Sequence, residues 1–195
     1  MKALPTSWAE ITVGQFYDCF TIYNLFKDDH IERSIKLIAL FTGQSQKEVE
    51  KMKIEDVMSA CKSLDFLGTL PANEKLPFEI KLGGKIFSPC LLTKDMTAGQ
   101  FIDFSNCGKG CEPDELIYHM HELLACMCLT KTDTGWEYKE YTETCELFLE
   151  MTFEEVYPLY VFFCKVLVKL QQPILEYSHS QVKKLAKELK VLQSA

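Results

Sequence analysis

The sequence lacks four things, and each absence closes a route to function. It has no apolar run long enough to cross a bilayer. Its greasiest stretch, Val156 to Leu170, is broken by Pro158, Lys165 and Lys169, whereas a spanning helix needs about 20 consecutive apolar residues. It has no excess of positive charge: 21 Lys and Arg against 28 Asp and Glu leave a net charge of -7. That is the wrong sign for a broad nucleic-acid surface, which displaces counterions with clustered cations. It has no Gly-rich phosphate loop, no G-x-S-x-G elbow and no H-E-x-x-H pair, so no catalytic residue is assigned. Finally, Met1 to Trp8 holds no apolar h-region, so no secretory leader is expected. The 9 cysteines are then expected to be reduced and buried as small apolar residues, and their odd number fits poorly with a closed disulfide framework.

What is present is an ordinary globular composition, 47% hydrophobic and 25% charged, which argues against disorder. A chain of 195 residues suits one compact domain or two small ones packed together. Within it one pattern occurs twice. Ile11-Thr12-Val13-Gly14-Gln15-Phe16-Tyr17-Asp18 returns as Met96-Thr97-Ala98-Gly99-Gln100-Phe101-Ile102-Asp103, with Thr, Gly, Gln, Phe and Asp kept in place. Lys36 to Phe41 then matches Glu122 to Met127, and Met52 to Val57 matches Met151 to Val156, in the same order. Three collinear matches point to a duplicated unit.

Each repeated segment has a physical reading. Thr12-x-x-Gln15, Thr97-x-x-Gln100, Thr152-x-x-Glu155 and Ser45-x-x-Glu48 have capping-box spacing, in which the first side chain and the fourth satisfy free amides at a helix start. Val13, Phe16, Phe20 and Tyr23 recur at helical spacing, as do Ile31, Ile35, Ile38 and Phe41 before Gly43, and Ile54, Val57, Cys61 and Leu64. Each of these stripes is expected to be buried. Between the units, Phe78-Glu79-Ile80-Lys81-Leu82 alternates apolar and polar, and Gly83-Gly84 is a two-residue hairpin turn leading into Lys85-Ile86-Phe87. That pattern sets Phe78, Ile80 and Phe87 on one face. The second unit carries an extra segment, Thr130 to Tyr141, read as a polar surface loop. Val182, Leu185, Leu189 and Leu192 close the chain as an amphipathic stripe.

The expected fold is mainly α: two related three-helix units joined by a β-hairpin, with a C-terminal amphipathic helix. The first unit spans residues 1–70, the linker and hairpin 71–95, the second unit 96–178 and the last helix 179–195. Protein contacts are expected at Phe78, Ile80 and Phe87 of the hairpin, at Trp136, Tyr138 and Tyr141 of the extra segment, and at Lys183 and Lys187 of the last helix, where aromatics and cations supply anchors. Trp8 is read as a ring packed on a core edge. Cys107, Cys111, His119 and His121 are residue types that suit zinc, but C-x-x-x-C and H-x-H do not share a helix face. They are read first as buried thiols and surface imidazoles, with no cofactor expected.

The opening Leu4-Pro5-Thr6-Ser7-Trp8-Ala9-Glu10-Ile11-Thr12-Val13-Gly14-Gln15-Phe16, the run Ile80 to Cys90 leading into Met96 to Asp103, and Val161-Phe162-Phe163 resemble segments of small proteins encoded by tailed phages of Bacteroidetes hosts, including crAss-like phages. A hairpin followed by a T-x-x-[QE] helix is also similar to phage tail-assembly chaperones. The resemblance implies a non-enzymatic structural or assembly role in the cytoplasm of a bacterial host, in the virion, or in both. Other phage structural proteins or further copies of the chain would be the partners, with no nucleic acid and no membrane. Two other readings stand beside it: an acidic phage inhibitor of a host protein, and, from a different class, a zinc-dependent enzyme.

Overall fold

The structure, a computed structural model, describes residues 2–73, 75–107, 109–110 and 115–169. The helices that follow Thr12, Ser45, Thr97 and Thr152 start on the capping signals. Helix α1 (Val13–Leu25) opens with a closed box: the Thr12 hydroxyl accepts from the Gln15 amide at 3.2 Å, and Gln15 Oε1 accepts from the Thr12 amide at 3.0 Å. Helix α2 (His30–Thr42) opens on the Asp29 carboxylate and stops at Gly43, whose φ of 71° is the left-handed cap that glycine takes at low cost. A single turn, α3 (Gln46–Val49), precedes α4 (Ile54–Ser63), and α5 (Ala98–Asn106) starts on Thr97. Then come α6 (Met120–Met127), the short α7 (Cys145–Phe148) and α8, helical over residues 153–169. At the start of α8 the Thr152 hydroxyl donates to Glu155 Oε2 at 2.8 Å. No helix among the described residues is long and apolar enough to cross a membrane.

The fold is mainly α with a small antiparallel sheet, and the sheet corrects the sequence reading of the extra segment. Strands β1 (Ile80–Leu82) and β2 (Lys85–Pro89) form the expected hairpin, with Gly83 and Gly84 both at positive φ, 54° and 73°, as a type I′ turn requires. The hairpin does not stand alone. The extra segment expected as a surface loop supplies β3 (Cys128–Thr132) and β4 (Gly135–Glu137), completing a meander in the order β1-β2-β3-β4. Two strands alone are barely stable in water. The inner edge of β2 therefore takes up Cys128–Thr132, where threonines at alternate positions suit a pleated surface. No loop separates α6 from β3: Met127 ends the helix and Cys128 starts the strand.

One core runs through both halves of the chain. Its centre is a backbone clasp between the start of α1 and the start of α8. The Val13 amide donates to Met151 O at 2.9 Å, the Gly14 amide to Leu149 O at 3.0 Å and the Phe153 amide to Ile11 O at 2.7 Å. On this clasp the Phe16 and Phe153 rings stack 3.9 Å apart at 11°, and Trp8 leans on Phe153 at 4.7 Å. Trp8 Nε1 donates to Thr69 O at 2.7 Å, so this indole packs on the core edge with its polar atom satisfied.

The repeated segments are alike in sequence but not in environment. Phe153 is fully buried, whereas its counterpart Ile54 is 70% exposed, and Ile31 of the expected second stripe is 76% exposed. Gln15 closes its capping box, while Gln100 is wholly buried and, among the described residues, neither its side-chain oxygen nor its nitrogen has a partner. The clasp is the reason for the asymmetry, because it places α1 and α8 at the centre and leaves parts of α2 and α4 at the surface. Phe153→Ala should therefore cost about 3–5 kcal/mol, as for a large core aromatic, and Ile54→Ala no more than about 0.5 kcal/mol, both read from urea unfolding. Equal costs would contradict the asymmetry.

Candidate functional site

The sheet sorts its residues onto two faces. Ile80, Phe87, Thr130 and Glu137 line up across the four strands on the inner face, and Phe87 meets Phe148 at 5.1 Å. Ile80 and Phe87 are 6% and 1% exposed. These two expected contact residues are core, which removes them from the accessible surface: alternation turns them inward once α7 packs beneath the sheet. The outer face carries Lys81, Ile86, Lys131 and Trp136. Trp136 is 40% exposed, with Lys131 Nζ 5.8 Å above its ring, a cation–π distance. Phe78 does not share the inner face as expected. It lies before β1, is 83% exposed, and is tied by its carbonyl to the Ser88 hydroxyl at 3.3 Å.

The hydrogen-bond parity of the ladder decides which backbone groups are free. In a two-residue hairpin the flanking pair is the bonded one, so Leu82 and Ile80 bond to β2 and Lys81 faces away from it. On the other side of β2, the Cys90 amide donates to Met127 O at 2.7 Å. That bond sets Ser88 against Leu129 and turns the backbone of Leu129 and Lys131 toward β2. Thr130 and Thr132 then serve β4 through Glu137 and Gly135, and the amide and carbonyl of Trp136 point out of the sheet. Among the described residues no backbone bond meets Lys81 or Trp136 from outside. A trough of about 770 Å³ lies beside β1, with Leu76, Pro77, Lys81, Glu150, Thr152 and Glu155 among its lining residues.

The remaining expected residues are used differently. Tyr138 donates to Asp103 Oδ2 at 2.6 Å, and burial together with that bond raises its pKa; it ties β4's exit to α5. Tyr141 is half-buried beside it. Lys183 and Lys187, with the last helix, lie outside the described residues, as does Cys111. Sequence reasoning missed Lys81, Ile86 and Lys131, whose signal is the period-two alternation that assigns them to Trp136's face.

Cys107, His119 and His121 meet at one carboxylate. Glu122 Oε2 lies 3.0 Å from His119 Nδ1 and 3.8 Å from Cys107 Sγ, and Glu122 Oε1 lies 4.0 Å from His121 Nε2. His121 Nδ1 sits 2.9 Å from the Tyr17 hydroxyl, which also accepts from the His121 amide at 3.2 Å. Among the described residues no group of three His, Cys, Asp or Glu is arranged to hold a metal. The Cys19 and Cys126 thiols are poor nucleophiles. Burial pushes Cys19 up to about 12, and a bond to Cys107 with burial raises Cys126 further, so both stay protonated at neutral pH.

Burial also holds the His121 imidazole below its ordinary value of 6.5, with Glu122 and Glu146 opposing the shift and His119 adding to it. The unfolded chain then takes up this proton before the folded one does. Stability is lost as pH falls through about 6.5 and recovers as it rises. His121→Asn should flatten that dependence in urea midpoints measured between pH 7 and pH 5; an unchanged slope would show that another group carries it. Compared with known proteins, the chain matches no family model, no curated protein and no solved structure.

Proposed function

We propose that the protein is a non-enzymatic assembly or virion component of a tailed bacteriophage that engages another structural protein, or a copy of itself, through the open side of its sheet. The observation that carries the contact is the pair of free edges at Lys81 and Trp136. An unpaired edge offers main-chain donors and acceptors that an extended segment can satisfy without side-chain specificity. Trp136, Phe78 and the two lysines of the outer face add apolar area and charge beside those edges. The phage setting rests on the resemblance of the opening residues and of the hairpin–helix segment. The non-enzymatic reading is supported by the Cys19 and Cys126 thiols, which are held protonated, and by the His119 and His121 imidazoles, engaged with Glu122 and Tyr17.

Mass spectrometry of gradient-purified particles tests the setting. The chain is expected in the particle or, if it acts transiently, in complex with a tail-tube or tape-measure protein isolated from infected cells. Absence from both overturns the reading. In the same capture, Trp136→Ala should weaken recovery of the partner about tenfold or more, as for a central aromatic anchor, and undiminished recovery would move the contact off the sheet.

A further inference from the structure

We infer that β4 is a self-pairing edge and that a second copy of this chain is its occupant. The inference rests on the reading of the sheet as the working surface and names one partner for it. An antiparallel pair of identical strands has a two-fold axis, so the contact is isologous and closes at two chains. With that axis at Trp136, the outward amide and carbonyl of each Trp136 meet those of the other. Gly135 stands opposite Glu137 of the second copy, and Thr134 opposite Tyr138. Just beyond the strand ends, Asp133 comes level with Lys139 of the second copy, and symmetry makes that ion pair twice.

Two features of β4 fit this register. Gly135 leaves room for the opposing Glu137 side chain. Among the described residues Lys139 is bound only to Glu137, at 3.2 Å, with both side chains more than 40% exposed; such a pair is weak and exchanges at small cost. The other edge is built against the same event. A two-fold axis at Lys81 sets two lysines directly opposite each other, which disfavours pairing, and Pro77 stands just before that strand. Self-association is thereby directed to β4, leaving the β1 trough open.

Sedimentation equilibrium of the whole chain over about a hundredfold range of concentration reads the monomer–dimer balance by mass action. The wild type should dimerise. Trp136→Pro should be monomeric: it removes the outward amide, and proline is tolerated where an edge amide faces solvent. Lys139→Asp and Asp133→Lys each place like charges opposite one another and should weaken the dimer about tenfold or more, and the double exchange should restore it. Lys81→Pro, on the other edge, should change nothing. Far-UV circular dichroism confirms that each variant is folded. A wild type monomeric throughout, or a dimer indifferent to the charge exchange, overturns the inference. Either result leaves the particle experiment to judge the proposed function separately.

Discussion

Three backbone hydrogen bonds between residues 11–14 and residues 149–153 hold the molecule's centre. They join the start of the first long helix to the start of the last one, segments far apart in sequence, and they bring Phe16 face to face with Phe153. Helix starts leave amides without intrahelical partners. Here each start gives amides to carbonyls just before the other, so the two ends satisfy one another and bury apolar rings in the same step. Trp8 seals the edge, and its one polar atom finds the Thr69 carbonyl. Once this clasp exists, two similar helical units can no longer be equivalent. The helices at the clasp become core, and α2 and α4 keep apolar residues at the surface.

The sheet follows from the same economy of burial. Its inner face, through Ile80 and Phe87, covers α7 and the lower core, while its outer face and both edges have no covering element among the described residues. Natural sheets usually blunt such edges. This one does so at β1 with a lysine and a nearby proline, and leaves at β4 a tryptophan with its backbone turned outward. That asymmetry is why the edge strands, rather than the polar cluster around Glu122, support the functional reading.

The legible part of the fold was the part written locally. Capping boxes at Thr12 and Ser45, the glycine stop at Gly43 and the Gly83-Gly84 turn each depend on a few adjacent residues, and they stand where the sequence puts them. The β3–β4 hairpin was not legible, because Cys128–Thr132 becomes a strand only by pairing with β2, about 40 residues earlier along the chain, and tertiary pairing overrides local pattern in sheets. The exposure of Ile54 was hidden for the same reason: a helical stripe says which side is apolar, not whether anything covers it. At the candidate site, Trp136 is legible as an exposed aromatic, but Lys81 and Lys131, which share its face, are placed there only by the strand register. A hairpin read alone has no inside: the sequence shows the apolar face of Ile80 and Phe87 but not whether a helix or a partner covers it, and the fold turns it to the core.

Amide hydrogen exchange read residue by residue, in a solution dilute enough to keep the chain monomeric, tests the open edges most directly. The ladder predicts rapid exchange at the amides of Trp136 and Lys81, which face outward, and strong protection at Leu129 and Lys131, which bond to β2. Protection of Trp136 equal to that of Lys131 would mean that another part of the chain covers the edge, and it would contradict the account.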